Sequence, residues 1–387
     1  MKELKLSNSG RRKERLGIPL LTKEDVLHYK DTLLDELYRT EGGSLLYLSK
    51  QNKGIGWIVD GTLTDLEIDS YIHLFKMAKA SRSSFFETMA ETSAFRLFNG
   101  EGDGFGGLTI DLYNQNVLIQ WYNKFTYLQK EKILKAIREV FPFVQAAYGK
   151  NRFEGTETLS EPLFGEGHFP ECIKENGVSY EINLDEGWMS GIFLDQRMVR
   201  QKLMQGLARK KSVLNLFSYT GAFSVASAVG GAEITTSVDL AKRSLSLTRA
   251  NFMANDIAFE TQNIYVMDVF RYFDYAKKQK LTYDVIVLDP PSFARNGKKT
   301  FTVAKNYGEL VQQSVDILNQ EGGTLLASTN AANLSKEKFQ EIIEAALLKK
   351  QVQFKIKHFE SLPTDFKTAR NMKESNYLKV FFIEVIR

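Results

Sequence analysis

The chain has one cysteine, Cys172, among 387 residues, so no disulfide can close within it. No C-x-x-C pair occurs, and the four histidines, His28, His73, His168 and His358, are scattered. The usual donor sets for zinc are therefore missing, and no metal site is expected. No run of about 18 apolar residues is present, so no membrane-spanning helix is expected. The basic start has no apolar segment behind it, so no secretory leader is expected. With a lone thiol, this points to the cytoplasm. There is no internal repeat and no low-complexity tract. A G-x-x-x-x-G-K-[ST] phosphate loop is also missing.

What is present is a soluble globular composition, 43% apolar and 25% charged. The length predicts two or three domains. The chain is organised around Ser212 to Asp239. Val213, Leu214, Leu216 and Phe217 form a short apolar run suited to a strand buried on both faces. Ser218 to Gly221 is a turn that includes Tyr219 and Thr220. Ala222 to Val229 has helical apolar spacing, ended by Gly230-Gly231. Ile234 to Val238 reads as a second strand, closed by Asp239 and followed by Leu240. Asp239 lies 18 residues after Gly221, about where a doubly wound fold places the acid that holds a ribose. That turn offers one glycine, not the three of G-x-G-x-x-G, so a pyrophosphate lacks its cradle there. A ligand with a ribose and no phosphate fits, and S-adenosylmethionine is one.

A second stretch, Tyr283-Asp-Val-Ile-Val-Leu-Asp-Pro-Pro-Ser-Phe293, reads as a buried strand ending in Asp289. Pro290 and Pro291 stop the strand and stiffen the loop at the edge where ligands of open α/β sheets sit. Asp289 can accept a hydrogen bond from an amine of a flat base, and Phe293 can stack on it. Asp268 ends a third strand and is assigned to the adenine amine. Three carboxylates thus stand at three successive strand ends.

Along the chain, residues 1–16 carry six cations, Lys2, Lys5, Arg11, Arg12, Lys13 and Arg15, against Glu3 and Glu14. Arg11, Arg12 and Lys13 are candidate phosphate contacts. Thr22 to Tyr38 has a helical pattern. Leu45-Leu-Tyr-Leu and Ile55-Gly-Trp-Ile-Val are two strands joined by a turn at Gln51-Asn-Lys-Gly. A helix is expected over Ile68–Thr88, then strands at Phe95–Asn99, Leu108–Tyr113, Val117–Tyr122 and Val144–Tyr148 around a helix at Leu128–Val140. Gly100-Glu-Gly-Asp-Gly-Phe-Gly-Gly sits between two strands and is read as a flexible turn. Arg295-Asn-Gly-Lys-Lys-Thr is expected to be a mobile lid that brings Arg295, Lys298 and Lys299 to RNA phosphate. Gly322 to Asn330 is a glycine turn and strand, and Asp365 to Phe382 a loop and final strand.

Phe193-Leu-Asp-Gln-Arg197, Asn215-Leu-Phe-Ser-Tyr-Thr-Gly-Ala-Phe, Ser237-Val-Asp and Asp289-Pro-Pro-Ser-Phe together resemble class I methyltransferases acting on RNA with S-adenosylmethionine. They are most similar to the large-subunit (23S) ribosomal RNA methyltransferase I family. Phe95 to Asp111 resembles that family's middle domain, and Ser9-Gly-Arg-Arg-Lys the opening of its PUA domain. The resemblance implies an α/β protein in three parts: a β-rich PUA-like RNA-binding domain over 1–75, a small α+β middle domain with a linking hairpin over 76–185, and a Rossmann-like methyltransferase domain over 186–387. It implies a ribosomal RNA substrate, presented as naked RNA or within a precursor particle, and admits a homodimer. It places Phe193, Gln196 and Arg197 against the cofactor, where Arg197 suits the methionine carboxylate.

The family methylates cytosine at C5, which needs a thiolate to add at C6. Its cysteine lies where this chain has Ser328-Thr329-Asn330. Cys172 stands upstream, in a hairpin. Ser328-Thr-Asn and Ala369-Arg-Asn resemble guanine-N7 relatives, whose ring nitrogen carries its own lone pair. Two other readings are a nicotinamide-dependent oxidoreductase of the same fold and a non-catalytic RNA-binding assembly factor.

Overall fold

The structure is a computed structural model. It describes residues 1–52, 54–296 and 299–386, with the side chains of 293–296 and 299–301 left aside. The chain forms two compact units: Met1–Ile173 with Ile182–Ser190 and Thr364–Ser375, and Lys174–Glu181 with Gly191–Pro363 and Asn376–Arg387. No described helix is long and apolar enough to cross a membrane.

The first unit opens with β1 (Lys2–Leu4), α1 (Asn8–Leu16), β2 (Leu20–Leu21), β3 (Glu36–Thr40), β4 (Leu45–Gln51) and β5 (Gly54–Ile58). These strands make one sheet, in the order β1-β3-β4-β5-β2. The hairpin between β4 and β5 is the one its turn residues predict. The helix expected over Thr22–Tyr38 does not form. His28 and Asp35 take left-handed backbone there, with φ 53° and 62°, which an α-helix cannot accommodate. Asp25 is buried and gathers Thr22 N, Thr22 Oγ1, Ser9 Oγ and Lys13 Nζ into a tight turn, and Glu36–Arg39 pair with β4.

Next come α2 (Ile68–Ala80), α3 (Ser83–Glu87), β6 (Ala94–Asn99), β7 (Leu108–Tyr113), β8 (Asn116–Trp121), α4 (Lys124–Leu128), α5 (Lys130–Val140), β9 (Ala146–Asn151) and β10 (Ser160–Phe164). They form a second sheet, in the order β10-β9-β8-β7-β6. Leu45, Tyr47 and Trp57 of the first sheet share one core with Phe75, Phe98, Ile110 and Ile137. That shared burial is why both layers belong to one unit.

The hairpin of β11 (Glu171–Glu175) and β12 (Val178–Ile182) carries the chain into the second unit. There follow α6 (Arg197–Lys202), β13 (Ser212–Leu216), α7 (Ala222–Val229), β14 (Ile234–Asp239), α8 (Arg243–Met253), β15 (Asn263–Val266), α9 (Val269–Lys278) and β16 (Val285–Leu288). The chain continues through β17 (Phe293–Asn296), β18 (Lys299–Thr302), α10 (Val303–Asp316), β19 (Gly323–Thr329), α11 (Lys336–Lys349), β20 (Gln353–Glu360) and β21 (Lys379–Ile386).

Seven strands make one sheet in the order β15-β14-β13-β16-β19-β21-β20. The first five are parallel, and β21 runs antiparallel to both neighbours. Side chains alternate between two cores. Val213, Val285, Val287, Leu326 and Val380 face one side, and Leu214, Leu216, Ile286, Leu288 and Phe381 the other. This is a Rossmann-like α/β sheet. Its order reverses between β13 and β16, which opens a crevice at the carboxyl ends of those strands. The expected lid is a hairpin: Phe293–Asn296 pair antiparallel with Lys299–Thr302.

Candidate active site

The turn after β13 is built from unusual backbone. Phe217, Tyr219 and Gly221 all take left-handed conformations, with φ 60°, 51° and 73°. Each non-glycine residue held there costs about 1–3 kcal/mol, and such strain gathers where a ligand is gripped. Gly221 cannot be replaced, since a Cβ would lie 2.5 Å from Thr248 Cγ2. Ser218 and Thr220 are buried. Asp239 ends β14 beside this turn. One of its oxygens accepts from Tyr219 N at 2.9 Å and the other from Ala241 N at 2.8 Å. Each oxygen keeps lone-pair capacity for another donor.

Phe193-Leu-Asp-Gln-Arg197 is brought to the same turn. Thr220 Oγ1 donates to Gly191 O at 2.8 Å, Gly191 N donates to Tyr219 Oη at 3.1 Å, and the Phe193 and Tyr219 rings lie 5.5 Å apart. Arg197 starts α6 and is buried, as is Gln196.

Asp289 follows β16 in the crevice. The Gln196 amide donates to Asp289 Oδ1 at 3.1 Å and to Ser328 Oγ at 2.8 Å. Ser328 lies in β19, one strand over, and is 1% exposed. Burial, reinforced by the charge of Asp195, pushes the Asp289 carboxyl up to about 6, although Ser328, Arg200 and Gln196 each favour the anion. Gln196 Oε1 is buried and has no partner among the described residues. A buried acceptor left unmet costs about 1–3 kcal/mol. Pro290 is buried behind Asp289. Ser292 Oγ bonds Asn330 Oδ1 and ties the Asp-Pro-Pro-Ser loop to the end of β19.

Asp268 has a structural task. It caps α9, accepting from Phe270 N at 3.1 Å and Arg271 N at 3.2 Å. The cap occupies one of its two oxygens, Oδ1. The side chain of Phe293 lies outside the described residues, as do those of Arg295 and Lys299 and the whole of Lys298. Among the described residues no cluster of His, Cys, Asp or Glu could hold a metal.

Three parts of the site escaped the sequence. Arg200 is buried against Glu175, with bonds of 2.6 and 2.7 Å, and donates to Phe193 O at 2.7 Å, so it fixes the segment that reaches Asp289. Asn251 Nδ2 donates to Thr220 O and braces the strained turn. Lys379 is buried at the edge of the sheet, with Nζ on Ala331 O and Tyr377 O, and burial lowers its pKa. The one signal available was Arg200 itself, three residues beyond Arg197 on one helix face.

A sequence profile of the S-adenosylmethionine-dependent methyltransferases matches residues 148–366. The chain belongs to that family. It is 44% identical, over 99% of its length and 100% of the relative's, to YwbD of Bacillus subtilis (strain 168), provisionally named a ribosomal RNA large subunit methyltransferase. It is 29% identical to ribosomal RNA large subunit methyltransferase I of Aeromonas salmonicida (strain A449), over 86% of this chain and 84% of that one. Among solved structures it is similar to SMU.776, provisionally described as a methyltransferase and crystallised with SAH, at 43% identity and TM-score 0.93 over 100% of both chains.

The enzyme is therefore an S-adenosylmethionine-dependent methyltransferase, and its residues fit that cofactor. Asp239 is aimed by two backbone N–H groups and can take ribose hydroxyls. Phe193, just before α6, and Leu240 and Val266, at the ends of β14 and β15, leave apolar surface 42%, 55% and 40% exposed, although their type is usually buried. No phosphate cradle is needed, and one glycine suffices at the turn.

The basic start is divided in its roles. Lys13 Nζ bonds Asp25 at 2.5 Å and Leu20 O at 3.1 Å, so this cation anchors α1 and is not the phosphate contact expected of it. Arg11 is exposed but leans on Asn8 and Glu41. Arg12 is exposed.

Proposed function

We propose that this enzyme methylates a base of large-subunit ribosomal RNA, at a ring atom that carries its own lone pair. The observation that carries the choice of atom is Ser328. It opens the stretch Ser328-Thr329-Asn330, where the resemblance puts the cytosine-C5 family's thiol, and its hydroxyl is already held beside Asp289 by Gln196. A hydroxyl has far less anion than a thiol at neutral pH, and no histidine is bonded to this one, so covalent addition to cytosine C6 has no nucleophile here. The large-subunit RNA substrate is supported by the names of the relatives, one of which matches nearly the whole chain.

The polar groups around Asp289 suit a donor-rich base edge. The Asp289 carboxylate and Gln196 Oε1 are two acceptors. Guanine offers N1–H and N2–H₂ along one edge, whereas cytosine offers one amine. Holding that edge leaves guanine N7 free. The cofactor supplies an electrophilic methyl group. Asp289 and Gln196 orient the base toward it, and Pro290 keeps the loop rigid, so catalysis is by positioning. Asp239 holds the ribose, Phe193 and Leu240 cover apolar surface, the turn Phe217–Gly221 encloses the cofactor, and Arg197 faces its carboxylate. Phe293 stacks on the base.

The wider reading assigns 1–75 as a PUA-like RNA-binding domain, 76–185 as a middle domain and 186–387 as the methyltransferase domain, working in the cytoplasm on naked RNA or a precursor particle. Arg11, Arg12, Arg295, Lys298 and Lys299 add phosphate contacts. Mass mapping of ribosomal RNA nucleosides with and without the protein tests this. A ring-nitrogen-methylated base is expected. 5-Methylcytosine would overturn the choice of atom, and no new methyl group on ribosomal RNA would overturn the substrate.

A further inference from the structure

The glycine-rich stretch Gly100 to Gly107 has no part in the cofactor site, and the structure gives it another task. The chain leaves the second unit at Pro363 and re-enters it at Asn376, and the intervening Thr364–Ser375 folds into the first unit. There it is clamped by its backbone. Arg82 donates to Asp365 O at 2.6 Å, Asn99 Nδ2 donates to Lys367 O at 2.8 Å, and the Asp365 carboxylate accepts from Arg96 N at 2.8 Å. Phe366 is buried under the Arg96 guanidinium, 4.3 Å from its ring centre. Gly102 makes the fit possible, because a Cβ on it would lie 1.7 Å from Lys367 O. Gly102 thus seats the segment, while Gly104 and Gly106 lie close against Asp60 and Trp57, so the stretch read as a flexible turn is closely packed.

The clamp turns one side of the segment outward. Lys367, Arg370 and Lys373 are exposed. Asn371 Nδ2 donates to Leu16 O, so Arg370 sits beside the end of α1. Arg12 and Arg15, three apart on that helix, share a face and are both exposed. Arg12, Arg15, Arg370 and Lys373 make no ion pair among the described residues. The nearby acids are largely committed: Asp365 is buried in the clamp, Glu14 bonds Thr40 Oγ1, and Glu374 remains exposed.

We propose that the Thr364–Ser375 segment, held in the socket of Gly100–Gly107, completes with α1 a basic surface that binds RNA phosphates. The surface rests on the RNA substrate reading above and goes beyond it, since it recruits a segment from the C-terminal half of the chain. Cations fixed on a clamped backbone lose little freedom on binding, so each acts as a positioned phosphate contact.

The test is binding of the full-length enzyme to a transcript of large-subunit ribosomal RNA across a salt series, with S-adenosylmethionine affinity measured in parallel. Arg370→Ala with Lys373→Ala should lower the salt slope by about 0.7–0.9 for each lost contact and weaken RNA binding severalfold. Cofactor affinity should stay at the wild-type value. A charge-matched control, Lys135→Ala with Lys349→Ala, should leave the slope unchanged. Gly102→Ala should reproduce the loss by expelling the segment, and the surface pair keeps the test decisive if that variant folds poorly. A wild-type slope that the Arg370 and Lys373 changes do not alter would overturn this surface while leaving the RNA substrate standing. A wild-type enzyme that shows no salt-dependent binding to the RNA would overturn both.

Discussion

Two buried polar clusters in this enzyme use similar side chains to opposite ends. In the first unit, Arg82 is 1% exposed, and its guanidinium meets Asp103 at 2.6 and 3.2 Å, the carbonyls of Ala78, Arg96 and Asp365, and Ser81 Oγ. Arg96 beside it meets Asp111 and Asn99. Every donor of Arg82 is answered, so the cluster has nothing left to offer a ligand. In the second unit, Gln196, Asp289 and Ser328 are bonded to one another, yet Gln196 Oε1 has no partner among the described residues and Asp289 is pushed up to about 6. Burial alone does not mark a functional site. The mark is burial with an unmet requirement.

The largest effect should come from breaking the answered cluster. Arg82→Ala leaves Asp103 as a buried charge and frees the carbonyl of Asp365. Breaking a buried pair from one side costs about 3–5 kcal/mol. Chemical denaturation should show a loss of that order, and a midpoint unchanged from wild type would mean that the pair is structurally idle.

Breaking the unanswered cluster should act on turnover. Asp289→Ala removes the anchor of the base and should lower the rate of methyl transfer about 10²-fold or more. Normal turnover in that variant would remove Asp289 from the site.

Asp289→Asn sharpens the same contrast through stability. The folded-state value of about 6 lies above the ordinary 3.8, so folding favours the protonated acid. The group's contribution to stability is complete below the unfolded value and is lost as pH rises through about 6. At pH 7.5 the ionised carboxylate is a burden, and the amide should stabilise the free enzyme by about 1–3 kcal/mol. The gain should fade as pH falls from 6 to 4. Equal stability of the two proteins at pH 7.5 would show that the carboxyl is better solvated than its surroundings suggest.

Much of the second cluster's setting was legible from the chain. The order strand, glycine turn, helix, strand, acid is local in sequence, and so is the strand that ends in Asp289. Apolar runs and turn residues encode both directly. What joins them is not local. Gln196 reaches Asp289 and Ser328 across 93 and 132 residues, and no spacing rule reports such a bond. The same limit hid the socket. Gly102 reads as a flexible residue until Lys367, far along the chain, is seen to press against it. Asp268 carries a second role that its place in the sequence did not show. It stands at a strand end like Asp239, but it also begins α9, and its oxygen is engaged by two backbone donors there. Thr22–Tyr38 misled for a related reason. Its apolar spacing suits a helix, but β1 and β4 draw Glu36–Thr40 into the sheet.

Asp239 and Asp268 can therefore be separated by experiment. Asp239→Ala should weaken S-adenosylmethionine binding about tenfold or more, the cost of one charge-assisted hydrogen bond. Asp268→Ala should cost about 1 kcal/mol of stability through the lost cap. Any further loss of cofactor affinity in that variant would restore it to the adenine amine. Calorimetric titration and denaturation of both proteins decide the matter, and wild-type cofactor affinity in Asp239→Ala would remove it from the ribose.

The smallest effect is expected at Cys172, and it bears on the chemistry most directly. This is the only thiol in the chain, so any covalent route through sulfur must use it. It lies in β11, within the linking hairpin, and its side chain is exposed, so it contributes little packing. The stretch where the resembled family is expected to have its cysteine, Ser328-Thr329-Asn330, holds no thiol, and the Ser328 hydroxyl is bonded to Gln196 in the sheet. Cys172→Ala should then keep nearly full methyl transfer and change stability by about 0.5 kcal/mol at most, as an exposed substitution does. Incubation with RNA containing 5-fluorocytosine provides the stricter reading, since an attacking thiolate would remain bonded to the ring. A protein–RNA adduct that forms in the wild type and disappears in Cys172→Ala would restore cytosine C5 as the target. Absence of any adduct, with methyl transfer intact in both proteins, is the outcome the locked Ser328 leads us to expect.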